Sequence, residues 1–429
     1  METHELYQLY LKYPHITTDS RSDVKDSVFF ALKGENFNGN KFASAALEKG
    51  AAFAVVDQKE YKTSDSCILV DDALLALQQL AVHHRSKLRI PIIAITGSNG
   101  KTTTKELINR VLEKKFKTMS TQGNFNNHIG VPLSLLRIRK DTEMAVIEMG
   151  ANHQGEIHEL CQIARPRFGL ITNIGKAHLE GFGGLEGVVK AKSELYKYIL
   201  QSHGSLFVNN NNPMLDELSR SIPRVTYGAM MDADCHGRIS KAENYLRIIW
   251  DSVKGKMNIK TQLYGAYNFE NVMAAICIGN YFGVDTAGII DAIESYRPAN
   301  RRSEILQTGR NKIIMDAYNA NPSSMALAIG EFLLRKEKNK CLILGDMLEL
   351  GDYALEEHEN VLQIIEESQN LEVFLVGPVF SKAGQNKDYK SFKCAEDLGA
   401  FLGKHPPRDL TILIKGSRGL QLEKVLPQL

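Results

Sequence analysis

Ile92-Ile93-Ala94-Ile95-Thr96-Gly97-Ser98-Asn99-Gly100-Lys101-Thr102-Thr103-Thr104 is the stretch that decides the fold. Ile92 to Ile95 form a continuous apolar run, the pattern of a strand buried on both faces. A glycine turn follows, and from Lys101 to about Lys115 the spacing is helical. Strand, glycine turn and helix together make a phosphate-binding layout. Glycines let the backbone fold tightly enough for several N–H groups to point at one spot. The helix N-terminus adds partial positive charge there. In such a loop Gly97, Ser98, Asn99, Gly100 and Thr103 surround the phosphates, Lys101 reaches the β- and γ-phosphates, and the Thr102 hydroxyl ligates Mg²⁺. Ile95 fills the general pattern's first glycine slot and Gly97 stands closer to Gly100, so the loop is a shorter variant. By itself it says only that a nucleotide phosphate site is present, which a kinase, a GTPase or a ligase would each satisfy.

Outward from this loop, strands are expected at 145–147, 169–172 and 205–208, separated by helical patterns. That alternation predicts a mostly parallel, doubly wound sheet in a central unit, 89–298. Within it, 235–263 turns to short alternating strands, read as an antiparallel flap. On the N-terminal side, 1–88 reads as a small α/β domain with strands at 28–32 and 51–56, a helical pattern over 72–84 and a Gly/Asn-rich loop at 33–39. The polar stretch 85–89 reads as a linker. On the other side, 299–429 forms a second βαβα series with strands near 313–315, 342–344, 373–376 and 410–414. It is Rossmann-like in outline but lacks GxGxxG after its first strand. The charge run Arg335-Lys336-Glu337-Lys338 reads as a solvated helix end. The fold class is therefore α/β in three domains.

Composition sets limits. The 429 residues are too many for one compact domain, and 43% hydrophobic with 24% charged is ordinary for a globular chain. A formal net charge of +2 gives no basic face of the kind a nucleic-acid binder needs. No apolar run approaches the length of a membrane span, and the start of the chain lacks a basic-then-apolar leader pattern. The six cysteines are scattered with no CxxC pair, which reads as reduced thiols filling cores. The expected location is the cytoplasm, and the expected state is a monomer.

One lysine stands out. The segment 185–200 reads as a helix whose apolar stripe is Leu185, Val188, Val189, Leu195, Tyr196 and Ile199. Lys192 falls inside that stripe, where a lysine is costly unless paired or chemically altered. A lysine snorkelling at the stripe's edge is the plainer reading.

Several further segments carry a resemblance. The loop resembles the TGxNGKTT signature of the Mur ligases and folylpolyglutamate synthases. In order along the chain come Ile147-Glu148-Met149-Gly150, Thr172-Asn173-Ile174-Gly175-Lys176-Ala177-His178-Leu179-Glu180, Tyr267-Asn268-Phe269-Glu270-Asn271 and Asp316-Ala317-Tyr318-Asn319-Ala320-Asn321-Pro322. Each is similar to a segment of the same superfamily. The resemblance implies that Glu148, His178 and a CO₂-modified (carbamylated) Lys192 help hold Mg²⁺ beside Thr102. It also implies that Asn268, Asn271, Arg302 and Asp316 contact ATP. Tyr267 stands where the family usually has His, and Arg301 competes with Arg302 for the arginine position. Asp19-Ser20-Arg21, Ala31-Leu32-Lys33-Gly34, the segment from Gly123 to Pro132, Leu344 to Gly351 and Lys415 to Gly419 are similar to the branch that adds D-alanyl-D-alanine. That branch's substrates would be UDP-N-acetylmuramoyl-tripeptide, met by Ser20, Arg21, Lys33, Gly34, Asn124, Asn126 and Asn127, and the dipeptide, met by Asn319, Asn321, Ser417 and Arg418.

Plainer readings stand beside these. Glu148 could merely end a strand, and His178 could hold a loop. Asn124, Asn126 and Asn127 could serve their own Asx turns, and Asn319 and Asn321 could only form a turn before Pro322. Ser417 and Arg418 could make an ordinary strand-to-helix turn. The implied chemistry is amide formation through an acyl phosphate, with Lys101, His178 and Lys192 as catalytic groups. The alternatives are a related ligase with another substrate, such as a folylpolyglutamate synthase, and a nucleotide-gated binding protein. The N-terminal unit argues against the former, and the presence of Lys101, Glu148 and His178 argues against the latter.

Overall fold

A computed structural model describes residues 1–242, 244–298, 302–368 and 371–429. The sequence alternative at Arg301 lies outside these residues. Three sheets organise the chain.

The first is four-stranded and parallel, in the order His15–Thr17, Ser27–Phe30, Phe53–Val56, Cys67–Leu69. A short hairpin, Lys33–Gly34 with Phe37–Asn38, projects from it. The helix expected over 72–84 runs as Ala73–Lys87, so it absorbs most of the stretch read as a linker. Arg85 is the reason. Its guanidinium donates to the carbonyls of Ala164 at 2.8 Å and Arg165 at 2.9 Å, which fastens the helix end to the central unit.

The central sheet has nine strands. Ile92–Thr96 lies inside it, with Met144–Glu148 on one side and Phe168–Ile171 on the other, all parallel. The chain leaves Ile92–Thr96 for the edge strand Thr118–Ser120, returns to Met144–Glu148, and then crosses to Phe168–Ile171. The order therefore reverses beside Ile92–Thr96, and a crevice opens at the carboxyl ends of these three strands, where ligands bind in open α/β sheets. Each of the three is wholly buried, as the unbroken apolar runs predict. Cys235–Lys241, Arg247–Ser252 and Gly255–Lys260 extend the sheet as an antiparallel flap. Lys101–Leu112 packs on Phe269–Tyr281, a helix buried almost all round.

The third sheet has six strands in the order Glu304–Gln307, Lys312–Asp316, Thr411–Lys415, Lys340–Gly345, Leu371–Val376, Lys390–Phe392. All are parallel except the first, an antiparallel edge. Among the described residues, no helix is long and apolar enough to cross a membrane. The cysteines are unpaired, and all but Cys394 are buried.

Two further expectations need correction. Leu185, placed on the buried stripe of its helix, is exposed because it sits at the first turn, beyond the packed surface. The run Arg335 to Lys338 is not simply solvated. The Arg335 side chain is 6% exposed. It pairs with Glu337, donates to Asn244 on the flap at 3.0 Å, and lies against the Tyr264 ring.

Candidate functional site

A cleft of about 820 Å³ opens between the central and C-terminal sheets. Its floor is the loop after Ile92–Thr96. Gly97 takes φ +141°, and a Cβ there would lie 2.0 Å from the Thr172 hydroxyl oxygen. Gly100 takes φ +78°, with Asn271 Oδ1 2.6 Å from where its Cβ would stand. Both positions therefore need glycine, for conformation and for space. The loop is laced to the segment after Phe168–Ile171. Ser98 N donates to Asn173 O at 2.9 Å, Asn99 N to Asn173 Oδ1 at 2.9 Å, and Thr172 Oγ1 to Asn99 O at 2.6 Å. Ser98 Oγ donates to Gly175 O at 2.9 Å. The 172–175 segment thus braces the loop from a neighbouring strand.

Lys101 Nζ donates to Gly97 O at 2.7 Å and Ser98 O at 3.2 Å, curled over the loop. Burial lowers its pKa, Glu148 opposes the shift and Arg302 adds to it. Thr102 Oγ1 donates to both carboxylate oxygens of Glu148, at 2.9 and 3.2 Å, and Asn126 Nδ2 donates to Glu148 Oε1 at 2.9 Å. Glu148 is 1% exposed. Behind it lies Lys105, one helical turn past Lys101, with Nζ 3.9 Å from Glu148 Oε2 and 2.7 Å from the Thr121 carbonyl. Burial lowers the Lys105 pKa against the pull of Glu148.

These residues suit Mg²⁺. The hydroxyl and carboxylate are hard oxygen donors. No group of three or more His, Cys, Asp or Glu among the described residues could enclose a metal alone. A site with so few protein ligands fits an ion that keeps waters and shares phosphate oxygens.

His178 lines the cleft in a left-handed backbone conformation, φ +52°. Its Nδ1 rests against the carboxylate of Glu349, from the C-terminal unit, and hydrogen bonding between the two lowers the Glu349 pKa. Lys192 is 1% exposed, so it does not snorkel. Its Nζ lies 3.4 Å from the carbonyl of Ala151, which lines the cleft, and 5.0 Å from the centre of the Phe182 ring. Burial first, and Lys101 second, bring its pKa down to about 7.

Asn268 and Asn271 form an amide chain at the far wall. Asn268 donates to Tyr264 O at 2.7 Å, Asn271 donates to Asn268 Oδ1 at 2.8 Å, and Thr104 Oγ1 donates to Asn271 Oδ1 at 2.9 Å. Arg302 stacks over Tyr318 at 3.6 Å, and among the described residues its buried Nε meets no hydrogen-bond acceptor. Asp316 ends its strand opposite the last residue of Thr411–Lys415 and pairs with Lys415 Nζ at 2.5 Å. Asn321 caps its helix through Ser324 N and also donates to Asn99 Oδ1 at 2.8 Å, tying the C-terminal unit to the phosphate loop.

The cleft thus gathers Ser98 to Thr103, Asn124, Asn126, Asn127, Glu148, His178, Asn268, Asn271, Arg302, Asp316, Asn319 and Asn321. Asn127 also accepts from Ile129 N and Gly130 N, so it serves an Asx turn as well. Gly97 and Lys192 lie behind the wall. Ser20, Arg21, Lys33 and Gly34 are not brought to the cleft. Arg21 pairs with Asp19 at 2.9 Å, and Lys33 with Asp57 at 3.2 Å, on the N-terminal unit. Ser417 is 3% exposed and accepts from Leu348 N at 3.0 Å, while Arg418 approaches the Tyr318 ring. Sequence reasoning missed Lys105, Lys176 and Glu349. For Lys105 the signal was its i+4 spacing from Lys101. Lys176 and Glu349 act across an interface that no local pattern encodes. Lys176 Nζ meets Glu357 Oε1 at 2.6 Å, and its backbone N–H donates to Ser323 Oγ at 2.9 Å.

A phosphate loop braced by a neighbouring strand and faced by a second α/β unit marks a nucleotide-using protein, and the chain belongs to the Mur ligase family. Models of that family match in sequence: the Mur ligase family, catalytic domain at 12–93, the Mur ligase middle domain at 95–279, and the Mur ligase, glutamate ligase domain at 301–418. The chain is 35% identical over 426 residues to UDP-N-acetylmuramoyl-tripeptide–D-alanyl-D-alanine ligase of Bacillus subtilis, covering 96% of this chain and 92% of that one. Among solved structures it superposes on MurF from Acinetobacter baumannii with a TM-score of 0.87 at 31% identity, over 99% of this chain and 97% of that one. MurF ligase from Thermotoga maritima, solved in complex with ADP, gives a TM-score of 0.83 at 27% identity, over 97% of both chains.

Proposed function

We propose that this chain joins D-alanyl-D-alanine to UDP-N-acetylmuramoyl-tripeptide at the expense of ATP, forming the pentapeptide precursor of peptidoglycan. The observation that carries the reading is the meeting of a complete phosphate loop with Glu148, His178 and the C-terminal residues Asp316 and Asn321 in one cleft. A carboxylate is a poor electrophile and must be activated. The tripeptide carboxylate attacks the γ-phosphorus of ATP, the bond to the bridging oxygen breaks, and an acyl phosphate and ADP result. The dipeptide amine then attacks the acyl carbon, loses a proton, and expels phosphate.

Two anions meet in the first step, so the protein must supply positive charge. Lys101 swings from the loop carbonyls to the phosphates, and Arg302 offers its guanidinium. Thr102 and Glu148 would hold Mg²⁺, which supplies Lewis-acid stabilisation of the transferring phosphoryl oxygens. His178 is the third candidate ligand. Asn268 and Asn271 face the base, and Asp316 reaches the nucleotide from the C-terminal unit. Asn124, Asn126 and Asn127, with Ser20, Arg21, Lys33 and Gly34 on unit 1–88, take the UDP-sugar-peptide. Asn319, Asn321, Ser417 and Arg418, on unit 299–429, take the dipeptide, and unit 89–298 takes ATP.

Lys192 is proposed to carry a carbamate. With its pKa near 7, much of the amine is neutral at physiological pH. That amine adds to the carbon of CO₂, forming an N–C bond and releasing one proton. The product is an anion whose oxygens suit Mg²⁺. Lys192→Ala activity restored by bicarbonate with a short-chain acid supports the assignment, and failure of that rescue opposes it. The protein is read as a cytoplasmic monomer.

The test is phosphate release from MgATP and UDP-N-acetylmuramoyl-tripeptide with and without D-alanyl-D-alanine, followed by product mass. Release that requires the dipeptide, with a mass gain of one dipeptide less water, is expected. Turnover only with another acid or amine would discard the substrate assignment.

A further inference from the structure

Eight non-glycine residues among those described have a positive φ, and two of them, His178 and Glu349, meet across the domain interface. Such backbones persist only where their surroundings over-determine them, and they cluster at functional sites. His178 belongs to the central unit and Glu349 to the C-terminal one. The carboxylate of Glu349 lies against His178 Nδ1. Beside this contact Glu180 N donates to Glu349 O at 3.4 Å, and a Cβ on Gly351 would stand 3.0 Å from Glu180 Cγ, so the two backbones nearly touch.

The loop that presents Glu349 is fixed from behind. Leu348 N donates to Ser417 Oγ at 3.0 Å, and Met347 N donates to His358 Nε2 at 3.0 Å. The Asp346 carboxylate accepts from Val379 N at 2.9 Å and Phe380 N at 2.7 Å, and its carbonyl accepts from Ser417 N at 3.2 Å. Phe182 packs edge-on to His178. Glu349 therefore arrives at the imidazole on a rigid mount.

We propose that Glu349 is a positioning residue: it fixes the Nδ1–H form and the orientation of His178, so that Nε2 is offered to the metal–phosphate site only when the C-terminal unit is docked. A carboxylate on one ring nitrogen sets which nitrogen keeps its lone pair, the usual arrangement behind a metal-binding histidine. Supplying that carboxylate from the other domain makes the imidazole's readiness depend on closure. The inference rests on the ligase reading above for the role of His178, but the contact itself does not. It also gives Ser417 and His358 a task in holding the 346–350 loop.

The experiment uses the full chain with Glu349→Gln, which keeps the length and removes the charge, and Glu349→Asn, which also relieves the left-handed backbone because Asn adopts it readily. Imidazole ¹⁵N spectra, with the His178 signal assigned by its loss in His178→Gln, report the protonated nitrogen. Mn²⁺ binding in the presence of ADP is followed by electron paramagnetic resonance. Wild type is expected to show a single Nδ1–H form for His178, and both variants a mixture. Mn²⁺ affinity should fall about tenfold in both, while the melting temperature is unchanged for Gln and raised for Asn. A purely structural role would instead lower the melting temperature and leave Mn²⁺ affinity alone. An unchanged His178 signal, or unchanged Mn²⁺ affinity, in Glu349→Gln overturns the proposal. Absence of phosphate release by wild type would overturn the ligase reading and leave the spectroscopic result to stand or fall separately.

Discussion

Replacing Lys192 by Met should make the protein more stable, by an amount that depends on pH. Lys192 is 1% exposed. Burial, reinforced by Lys101 and only partly offset by Glu156 and Glu194, holds its pKa at about 7 instead of 10.5. At 1.36 kcal/mol per pH unit that gap corresponds to at most about 5 kcal/mol, and relaxation around the charge brings the measurable share to roughly 2–4 kcal/mol. The direction follows from proton counts. The unfolded chain keeps the lysine proton up to about 10.5, whereas the folded chain loses it near 7. Between these values the unfolded state holds more protons, so wild-type stability rises with pH. Below 7 both states are protonated and the full cost is present. Lys192→Met has no such term, so its advantage should be largest at pH 6 and shrink by about 1.4 kcal/mol per unit above 7. Urea denaturation in CO₂-free buffer can measure this. Trp250, the chain's one tryptophan, is 2% exposed on the flap, so its emission reports the central unit. The same advantage at pH 6 and pH 9.5 would refute the reasoning, as would destabilisation at pH 6. Adding bicarbonate at pH 8 should shift wild type and leave the Met variant unmoved.

Lys101→Ala should lower phosphate release by about 10²–10³-fold, the usual effect of removing one electrostatic donor, with little change in melting temperature because Lys101 Nζ bonds only loop carbonyls; near-wild-type turnover would remove it from the site. Lys105→Met leaves Glu148 buried without its nearest cation, 3.9 Å away, and should destabilise the central unit by about 3 kcal/mol, read by Trp250 emission in urea. Lys176→Glu should cut kcat/KM about 3- to 10-fold by breaking the interdomain pair with Glu357, and Glu357→Lys in the same chain should recover part of the loss. The pair's modest size follows from the 44% exposure of Lys176, and a double variant no better than the single would show that the pair does not couple the domains.

The sequence was most informative where physics is local. The run Ile92 to Ile95 had the pattern of a doubly buried strand, and the glycines at 97 and 100 marked the turn that opens a helix. Lys192 was visible because a charge on an apolar stripe violates the pattern around it. Periodicity did not fix its depth. Leu185, on the same stripe, turned out exposed because stripes do not say where the packed surface ends. Short edge strands such as His15–Thr17, Thr118–Ser120 and Lys390–Phe392 went unread, since an edge strand needs no long apolar run. Arg335 looked like part of a solvated charge run because its burial depends on Asn244 and Tyr264, distant in sequence.

What local pattern could not show is how the cleft is closed. The phosphate loop, Glu148 and the 172–178 segment all sit at the carboxyl ends of neighbouring strands in one sheet, a consequence of the strand order alone. Asp316, Lys415 and the Glu349 loop follow the carboxyl ends of strands in another sheet. Each sheet thus points the same kind of edge at the other. Three of the contacts that join them, Asn321 to Asn99, Lys176 to Glu357 and Glu349 to His178, fall on residues in or next to the phosphate loop and the 172–178 segment, while Arg335 and Lys312 meet Asn244 on the flap. Domain docking and assembly of the phosphate site are therefore coupled through these three contacts. A substitution that weakens one of these polar contacts should lower the rate of acyl phosphate formation more than it alters stability, because each contact is a single polar pair beside the phosphate site, whereas the apolar packing that carries stability lies elsewhere.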